Sequence, residues 1–271
     1  SLLTGVYCGA GPLPEGMLGH EALLADTLPV EDAPHRADEL AAIMYTGGTT
    51  GRPKGVMLTH GSLYINALSA VAAVPRPTQG AGVVIAAPMF HVAGCGLSIQ
   101  SILRLVPQHV VPFFDEVAIM QIVQAERATE SFLVPTMIKR LIEHPRFKEL
   151  GLSSLQMRLY GAAPIDAALL EQAMAALPST SFSQAYGMTE LSPTVAVLMP
   201  DCHLPGPNRE RLLRAAGRAV PVAEIRIVDA QDNEVPAGQV GEIVARGPMV
   251  MQGYWNKPHE AEAGVRRGGM N

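Results

Sequence analysis

The sequence YTGGTTGRPKG, residues Tyr45–Gly55, is a turn-forming stretch between two short apolar runs, residues 40–44 and 56–58. It contains four glycines, four hydroxyl side chains, an arginine and a lysine, and no acidic residue. Glycines let backbone N–H groups approach a ligand closely, and successive N–H groups in a turn form a concave anion site. Hydroxyl groups and a lysine add further donors for phosphate oxygens. The stretch therefore predicts a loop that binds polyphosphate.

A Walker P-loop has the pattern G-x-x-x-x-G-K-[ST], and this stretch does not match it. Lys54 follows Pro53 and precedes Gly55, so neither the glycine spacing nor the hydroxyl that would hold Mg²⁺ is in place. A flexible hairpin turn without a ligand is the alternative that composition leaves open, because turns rich in Gly and Thr are common. Any nucleotide is therefore expected to bind differently from the way it binds in Walker ATPases.

The composition indicates a folded protein with a sizeable core. Of the 271 residues 48% are apolar and only 17% are charged, whereas disordered chains combine low hydrophobicity with high net charge. A net charge of −5 argues against nucleic acid as a partner. Three distant cysteines without a C-x-x-C pair argue against a zinc site and for the cytoplasm. The uncharged run at residues 81–99 is interrupted by Pro88 and His91, so no transmembrane segment is predicted.

Downstream of the loop, apolar patterns typical of strands and helices alternate along the chain. The predicted strands are residues 83–86, 109–111, 131–134, 156–160 and 181–184, and the predicted helices are residues 60–74, 94–105, 115–125, 166–177 and one that begins at 135. Strands joined by crossover helices form a parallel sheet covered on both faces, and ligands bind beyond the carboxyl ends of its strands. The predicted fold class is α/β, with a parallel-sheet layered core.

The sequence patterns at the two ends of the chain differ from the alternating strand and helix pattern between them. Residues 1–38 contain four prolines and weak periodicity, which predicts irregular surface structure. After Val195, short β-rich runs at residues 222–228 and 240–245 are separated by turns, which predicts a small antiparallel or distorted-barrel β subdomain. The α/β core is therefore expected to be followed by a small β-rich part.

Four further motifs follow the glycine-rich loop. They are FHVAG at residues 90–94, YGAAP at 160–164, YGMTE at 186–190, and GEI at 241–243 continuing to GYW at 253–255. In this order, the five motifs resemble those of the AMP-forming adenylating enzymes, which include acyl-CoA synthetases, peptide-synthetase adenylation domains and beetle luciferases. The resemblance runs from about Leu40 to Pro258, and the chain resembles a fragment of the large N-terminal domain of these enzymes.

This resemblance implies a two-step reaction with ATP, Mg²⁺ and coenzyme A as cofactors or co-substrates. A carboxylate attacks the α-phosphorus of ATP and expels pyrophosphate, and a thiol then takes the acyl group from the adenylate. Catalysis by such a site rests mainly on positioning and on offsetting negative charge. In the family, residues of this loop bind the β- and γ-phosphates. The corresponding residues here are Thr46, Gly47, Gly48, Thr49, Thr50, Gly51 and Lys54.

Lys54, His91, Thr189 and Glu190 are the catalytic residues that the resemblance implies. Thr189 corresponds to a donor to the α-phosphate, and Glu190 corresponds to the carboxylate that holds Mg²⁺. A Thr-Glu pair is also typical of an ordinary helix start, which is the structural alternative. His91 is expected to face the substrate carboxylate, unless it is a structural histidine.

The adenine and acyl pockets are expected around the YGMTE and YGAAP motifs. Tyr186 resembles the aromatic residue that stacks on adenine, beside Gly187 and Met188, although a core tyrosine is the commoner case. Tyr254 and Trp255 are expected to belong to the core. The small residues that the resemblance places in the adenine and acyl pocket are Gly161, Ala162 and Ala163.

The resemblance also divides the chain into three parts. Residues 1–66 are predicted as the remainder of a first α/β lobe with the phosphate-binding loop, residues 67–192 as a second α/β lobe with the acyl and adenine pocket, and residues 193–271 as the small β subdomain. The family's ribose-binding Asp, its hinge and its C-terminal domain with a catalytic Lys are not found in this sequence. A fragment cut near both ends of the large domain is therefore expected.

The leading hypothesis is an acyl-CoA synthetase core that activates a carboxylic acid, with a fatty acid as the expected substrate. A nucleotide- and acyl-binding module without turnover and an aryl-acid–CoA ligase or luciferase-like enzyme are the alternatives. The expected partners are the acid, ATP and coenzyme A, with neither nucleic acid nor a membrane span, and a homodimer is left open.

Overall fold

The computed structural model describes residues 5–9, 11–47, 53–77, 80 and 82–259, and the chain divides into two compact units, residues 1–35 and 36–271. In the first unit, strands β1 (Gly5–Tyr7) and β2 (Met17–Gly19) pair in parallel, and helix α1 (His20–Asp26) follows them. The prediction of irregular structure for residues 1–38 is wrong for these three elements. Strands of three residues are too short to show a hydrophobic period.

The second unit contains the remaining elements. Its strands are β3 (Leu40–Thr46), β4 (Lys54–Thr59), β5 (Val83–Ile85), β6 (Gln108–Val110), β7 (Glu130–Leu133), β8 (Met157–Gly161), β9 (Ser181–Gly187), β10 (Thr194–Leu198), β11 (Arg218–Ala219), β12 (Glu224–Val228), β13 (Glu242–Arg246) and β14 (Gly253–Tyr254). Its α-helices are α2 (His60–Ala73), α3 (Val92–Leu103), α4 (Glu116–Glu126), α5 (Pro135–Glu143), α6 (Phe147–Leu150), α7 (Ala167–Ala176) and α8 (Arg209–Leu212). Single 3₁₀ turns lie at Thr189–Leu191 and Pro200–His203.

A seven-stranded sheet in the order β11-β10-β9-β8-β7-β5-β6 forms the centre of this unit. The five strands from β9 to β6 are parallel, and β10 and β11 are added antiparallel at one edge. Crossover helices connect the parallel strands, as the alternating pattern predicts. The predicted α/β class with a parallel-sheet core is confirmed.

Local capping explains where three of the connecting helices begin. Thr59 and Ser62 form a reciprocal capping box at the start of α2. Asp115 accepts a hydrogen bond from the Ala118 N–H at the start of α4, and Asp166 caps α7 in the same way. Each cap satisfies donors that the first turn of a helix leaves unpaired.

Both faces of the sheet are buried because residues along each strand alternate between them. Leu133 and Tyr160 face the side covered by α4, α5 and α7. Phe132 and Leu159 face the opposite side, where they pack with Val74 and with Leu97 of α3. Apolar side chains of these strands therefore lie on both faces of the sheet.

The β-rich end of the chain contributes to three separate sheets. β12 and β13 form an antiparallel hairpin from the two predicted β-rich runs. β10 and β11 belong to the large sheet, and β14 pairs with β4, which in turn pairs with β3. The domain boundaries at residues 66/67 and 192/193 stay predictions.

Two buried polar groups lie on the α4/α5/α7 side of the sheet. Arg158 of β8 is fully buried, and within the described part of the chain none of its guanidinium nitrogens has a hydrogen-bond partner. This burial lowers the pKa of Arg158 to about 10. Tyr160 Oη lies 2.9 Å from His203 Nε2, and His203 Nδ1 lies 3.0 Å from the Met199 carbonyl oxygen. The carbonyl can only accept, so Nδ1 carries the ring proton and Nε2 accepts from the tyrosine.

None of the helices in the described part of the chain combines the length and apolar character that a membrane crossing requires.

Candidate active site

A cavity of ≈ 480 Å³ lies between the β3–β4 hairpin, helices α2 and α3, and the ends of β8 and β9. Residues from all five motifs contribute to its lining, as expected for a site beyond the carboxyl ends of parallel strands. The predicted site residues that line it are Thr46, Gly47, Lys54, His91, Ala162, Tyr186, Gly187, Met188, Thr189 and Glu190. Gly48, Thr49, Thr50 and Gly51 lie outside the described residues.

The β3–β4 hairpin positions the phosphate-loop residues that the structure describes. Thr46 ends β3, Lys54 begins β4, and the two are paired across the antiparallel ladder. Both side chains line the cavity and are half-buried. The described ends of the hairpin, Thr46 and Lys54, therefore line a cavity.

His91 stands immediately before α3 and acts as its N-cap. Its Nδ1 accepts a hydrogen bond of 3.1 Å from the Ala93 N–H. Because Nδ1 is the acceptor, Nε2 carries the proton in the neutral ring and is available as a donor. The side chain is exposed and lines the cavity, so His91 combines a structural cap with a donor on the cavity wall.

The YGAAP motif places one of its three predicted pocket residues at the cavity. Gly161 is buried and paired with Ala185 of β9, and a Cβ at Gly161 would overlap the Ala185 carbonyl oxygen. Ala162 follows in the left-handed region, with φ of 62°, and lines the cavity. Gly161 and Ala163 do not belong to the described residues that line the cavity. Gly161 therefore lets β8 and β9 come together, and the expectation that it lines the pocket is not met.

The YGMTE motif lies where β9 ends and the chain reverses into β10. The Met188 N–H donates to the Pro193 carbonyl oxygen at 3.0 Å, and Thr189–Leu191 forms a single 3₁₀ turn. Thr189 is buried, Glu190 is half-buried, and Tyr186 is exposed on the cavity wall. Thr189 caps no α-helix here, so the ordinary helix start that was the alternative for this pair does not apply.

Tyr254 connects the two charged residues of the site. Its hydroxyl donates a hydrogen bond of 2.8 Å to Glu190 Oε1, and Lys54 Nζ lies 5.0 Å from the centroid of its ring. Backbone bonds hold this arrangement in place, because β14 pairs with β4 and the Met251 N–H donates to the Glu190 carbonyl oxygen at 2.8 Å. Lys54 and Glu190 therefore share one cavity.

The expectation that Tyr254 and Trp255 belong to the core is wrong for Trp255, whereas half-buried Tyr254 packs against the apolar cluster that contains Val56 and Leu58. Tyr254 lines the cavity, and Trp255 is 46% exposed. Sequence reasoning missed Tyr254 because its contacts depend on a strand pairing between distant parts of the chain. Its place in the last motif is the one sequence feature that could have indicated a role.

Glu190 fits a magnesium ion that arrives with nucleotide phosphates. Mg²⁺ is usually held by one or two carboxylates together with substrate phosphates and water. Glu190 Oε1 accepts from Tyr254, and within the described residues Oε2 takes part in no hydrogen bond. No group of three or more His, Cys, Asp or Glu in this part of the chain could hold a metal ion by itself. One carboxylate at the cavity is therefore compatible with Mg²⁺ bound through phosphate.

Comparison with known proteins gives a consistent family assignment. The AMP-binding enzyme family model matches residues 4–255. The chain is 38% identical over 242 residues to a feruloyl-CoA synthase of Amycolatopsis sp, which covers 88% of this chain and 47% of that protein. It is 30% identical over 267 residues to a medium/long-chain-fatty-acid–CoA ligase of Mycobacterium tuberculosis, covering 96% of this chain and 45% of the ligase. The chain thus spans about half the length of these relatives.

A solved structure shows the same fold with nucleotide bound. The o-succinylbenzoate coenzyme A synthetase of Bacillus subtilis, in complex with ATP and magnesium ion, superposes with a TM-score of 0.80 at 26% identity, over 93% of this chain and 51% of that one. Together with the family match over most of the sequence, this likeness agrees with the meeting of five motifs at one cavity. The chain belongs to the AMP-binding enzymes, the AMP-forming adenylating family.

Proposed function

We propose that this chain forms the ATP- and acid-binding core of an acid–CoA ligase, in which a carboxylic acid is converted to an acyl-adenylate and then to a thioester. The observation that supports this most is that Lys54, His91, Tyr186 and Glu190 line one cavity of ≈ 480 Å³. A site for adenylation needs a cation, a hydrogen-bond donor, a flat surface for the base and a carboxylate, and these four residues supply them.

In this proposal the triphosphate lies along the β3–β4 hairpin. Lys54 offsets phosphate charge, and the Thr46 hydroxyl at the end of β3 adds a donor. The substrate carboxylate lies at His91, whose Nε2 donates to it and orients it for attack on the α-phosphorus. The attack forms the acyl–O–P bond and breaks the bond to pyrophosphate, which leaves with both bonding electrons.

Thr189 and Glu190 lie in the 3₁₀ turn that follows β9, and Tyr254 contacts both Glu190 and Lys54 of the hairpin. The Thr189 hydroxyl is a donor for the α-phosphate, and Glu190, oriented by Tyr254, would hold Mg²⁺. When bound, Mg²⁺ neutralises charge on the phosphate oxygens. In the second step, the sulfur of coenzyme A bonds to the acyl carbon and AMP departs with the electrons of the acyl–oxygen bond. During this second step the residues that line the cavity hold the AMP part of the adenylate at the position where it formed.

The fatty acid, the cytoplasm and a homodimer stay predictions. The relatives' names include feruloyl-CoA synthase and fatty-acid–CoA ligase, so they leave the acid open. The inner wall of the cavity includes Val74, Leu97, Phe132 and Leu159, which suits an alkyl or an aryl chain.

The test is exchange of labelled pyrophosphate into ATP by the full-length protein with a panel of carboxylic acids. Lys54→Ala and Glu190→Ala are each expected to slow exchange by about 10²–10³-fold, the typical cost of removing one group that stabilises a transition state. Lys139→Ala and Glu143→Ala are the matched controls, because these two residues form an exposed pair on α5. Exchange that is unchanged in the Lys54 and Glu190 variants would overturn the proposal. Binding of ATP without exchange for any acid would favour the binding module instead.

A further inference from the structure

The cavity continues inward from His91 along α3 and meets polar side chains at its inner end. Gln100 lies nine residues after His91, which corresponds to about 13 Å along a helix axis at 1.5 Å per residue. Arg76, just beyond the end of α2, also lines the cavity. Between these polar residues and His91 the wall is apolar, with Leu97 and Phe132 among its residues.

Arg76 and Gln100 belong to a buried charged cluster. Arg76 Nη1 donates to Glu130 Oε1, and Arg76 Nη2 donates to Gln100 Oε1 at 2.7 Å. Arg104 Nη1 donates to Glu130 Oε2 at 2.5 Å, and Arg104 Nη2 donates to the Pro77 carbonyl oxygen at 2.8 Å. Glu130 is fully buried, and the side chains of Arg76 and Arg104 are 5% and 9% exposed.

The cluster has one more positive charge than its contacts neutralise. Two guanidinium groups share the single carboxylate of Glu130. Arg104 has a second acceptor in the Pro77 carbonyl, whereas Arg76 Nε is buried and has no hydrogen-bond partner among the described residues. Burial is also the main reason why the pKa of Arg76 is lowered. A buried N–H group without an acceptor is costly, so an additional acceptor beside Glu130 and Gln100 would stabilise Arg76.

The two arginines differ in whether they line the cavity. Arg76 and Gln100 line the cavity, while Arg104 and Glu130 stand behind them and are not among the described residues that form the lining. An acceptor that enters through the cavity therefore meets Arg76 and Gln100 first. The acid that occupies the apolar part of the cavity is the molecule whose far end lies nearest to these two side chains.

We propose that the substrate acid of this enzyme carries an oxygen acceptor at the end opposite its reacting carboxyl group, and that Arg76 and Gln100 bind this oxygen. This inference rests on the proposed function, because it assumes that the acid's carboxyl group lies at His91. A phenol, ether, carbonyl or second carboxyl oxygen satisfies the chemistry, whether the chain between the two ends is alkyl or aryl. A plain fatty acid leaves the cluster without its acceptor and is a poor substrate.

The experiment compares matched acids in pyrophosphate exchange by the full-length protein. The pairs are 3-phenylpropanoate with its 4-hydroxyphenyl analogue, and octanoate with 8-hydroxyoctanoate, so that each pair differs by one distal oxygen. The oxygen-bearing member of at least one pair is expected to have a kcat/KM about 10- to 100-fold higher, the range for a hydrogen bond to a charged group. The ratio within a pair is measured on one preparation, so any loss of folded protein cancels.

Three variants assign the preference to the cluster. Arg76→Met leaves Glu130 paired with Arg104 and is expected to reduce the ratio to about threefold or less. Gln100→Leu removes the second cavity-lining polar group and is expected to lower the ratio in the same direction. Arg104→Met is the matched control, because it also removes one guanidinium from Glu130 but leaves Arg76 and Gln100 on the cavity wall; its ratio should stay clearly above that of Arg76→Met.

The outcomes separate this inference from the proposed function. If no acid supports exchange, the proposed function fails. If acids support exchange but the oxygen-free members equal or exceed their partners, the function stands and the inference is overturned. A preference that is the same in Arg76→Met, or in Gln100→Leu should the first variant fail to fold, also overturns the assignment to this cluster.

Discussion

Tyr254 donates a hydrogen bond of 2.8 Å to Glu190 Oε1 while its ring lies 5.0 Å from Lys54 Nζ. One aromatic side chain thus contacts both the cation and the carboxylate that the resemblance identifies as catalytic. The hydrogen bond restricts rotation of the carboxylate, and the ring gives the ammonium group a favourable electrostatic contact. Tyr254 is therefore a positioning residue for both charges.

Removing only the hydroxyl tests this role. Tyr254→Phe keeps the ring near Lys54 but frees Glu190, and about 1 kcal/mol for a half-buried hydrogen bond corresponds to roughly a fivefold effect. We expect the Mg²⁺ concentration that gives half-maximal pyrophosphate exchange to rise by about that factor, with the KM for the acid unchanged. Trp255→Phe, at the exposed neighbouring position, is the control. Identical Mg²⁺ titrations for Tyr254→Phe and the wild type would show that the contact has no part in orienting Glu190.

Arg158 offers a test of stability that is independent of activity. Its guanidinium is fully buried without a partner in the described part of the chain, and its pKa falls to about 10. Replacement of a buried charge by an apolar side chain of similar length commonly stabilises a protein by about 1–4 kcal/mol. Arg158→Met is therefore expected to raise the free energy of unfolding, and Arg158→Lys, which keeps a buried cation, is not. A lower Tm for the methionine variant would contradict the prediction.

The lowered pKa of Arg158 also predicts how the free energy of unfolding changes with pH. Because the folded-state pKa of Arg158 is lower than that of the unfolded chain, the unfolded state binds more protons between about pH 10 and the ordinary value for arginine. Stability from this group therefore rises with pH in that window. Comparison of the wild type with Arg158→Met in denaturant melts above pH 10 isolates the contribution, which the variant should lack.

Protonation of His203 is predicted to lower the stability of the folded protein in mildly acidic solution. Burial lowers its pKa, and its Nε2 accepts from Tyr160 only when the ring is neutral. The unfolded chain therefore binds the proton first, so stability is full above the ordinary histidine pKa of about 6.5 and is lost as the pH falls below it. The slope from this group can approach about 1.4 kcal/mol per pH unit.

Thermal melts between pH 8 and pH 5 measure this effect. His203→Gln should have a shallower dependence of Tm on pH than the wild type, while His20→Gln, on α1, should have the same dependence. Equal slopes for His203→Gln and the wild type would mean that protonation of His203 does not limit stability in this range.

Substitution of Gly161 is predicted to disturb the packing of β8 against β9 next to the site. An added Cβ would overlap the Ala185 carbonyl oxygen, so β8 and β9 would have to separate. Gly161→Ala is expected to destabilise the protein by about 1–3 kcal/mol, as overpacking does, and to weaken ATP binding because Tyr186 follows Ala185 directly. Gly206→Ala is the control, since a Cβ there has no neighbour within 4 Å. Unchanged Tm and ATP affinity for Gly161→Ala would contradict this account.

Much of the fold could be predicted because its determinants are local. The helix from His60 to Ala73 begins at a capping box and ends before Pro75, and Asp115 and Asp166 cap the helices that were expected to follow them. The strand Val83–Ile85 is buried on both faces and so appears as an unbroken apolar run, whereas Glu130–Leu133 is equally buried but begins with Glu130 and Ser131. The strand-end positions of His91 and Tyr186 then follow from topology.

The features that sequence reasoning missed depend on distant contacts. Tyr254 meets Glu190 only because β14 pairs with β4, and no local pattern in GYW indicates that partner. Arg76 and Glu130 form their ion pair across the inner end of the cavity, yet Arg76 follows Pro75 in a stretch that otherwise predicts only a loop. Membership of β10 in the large sheet was likewise obscured, because an antiparallel edge strand after a parallel core changes the pattern of the sequence.

The pairing of β14 with β4 has a consequence for the newly made chain. The two strands of the phosphate-loop hairpin are translated about 200 residues before the third strand of their sheet, which carries Tyr254. Contacts between such distant residues form late, since both partners must first leave the ribosome. Val56 and Leu58 are fully buried in an apolar cluster that includes Met251 and against which Tyr254 packs. A polypeptide that ends before the segment with Met251 and Tyr254 therefore lacks part of the apolar cluster that contains Val56 and Leu58.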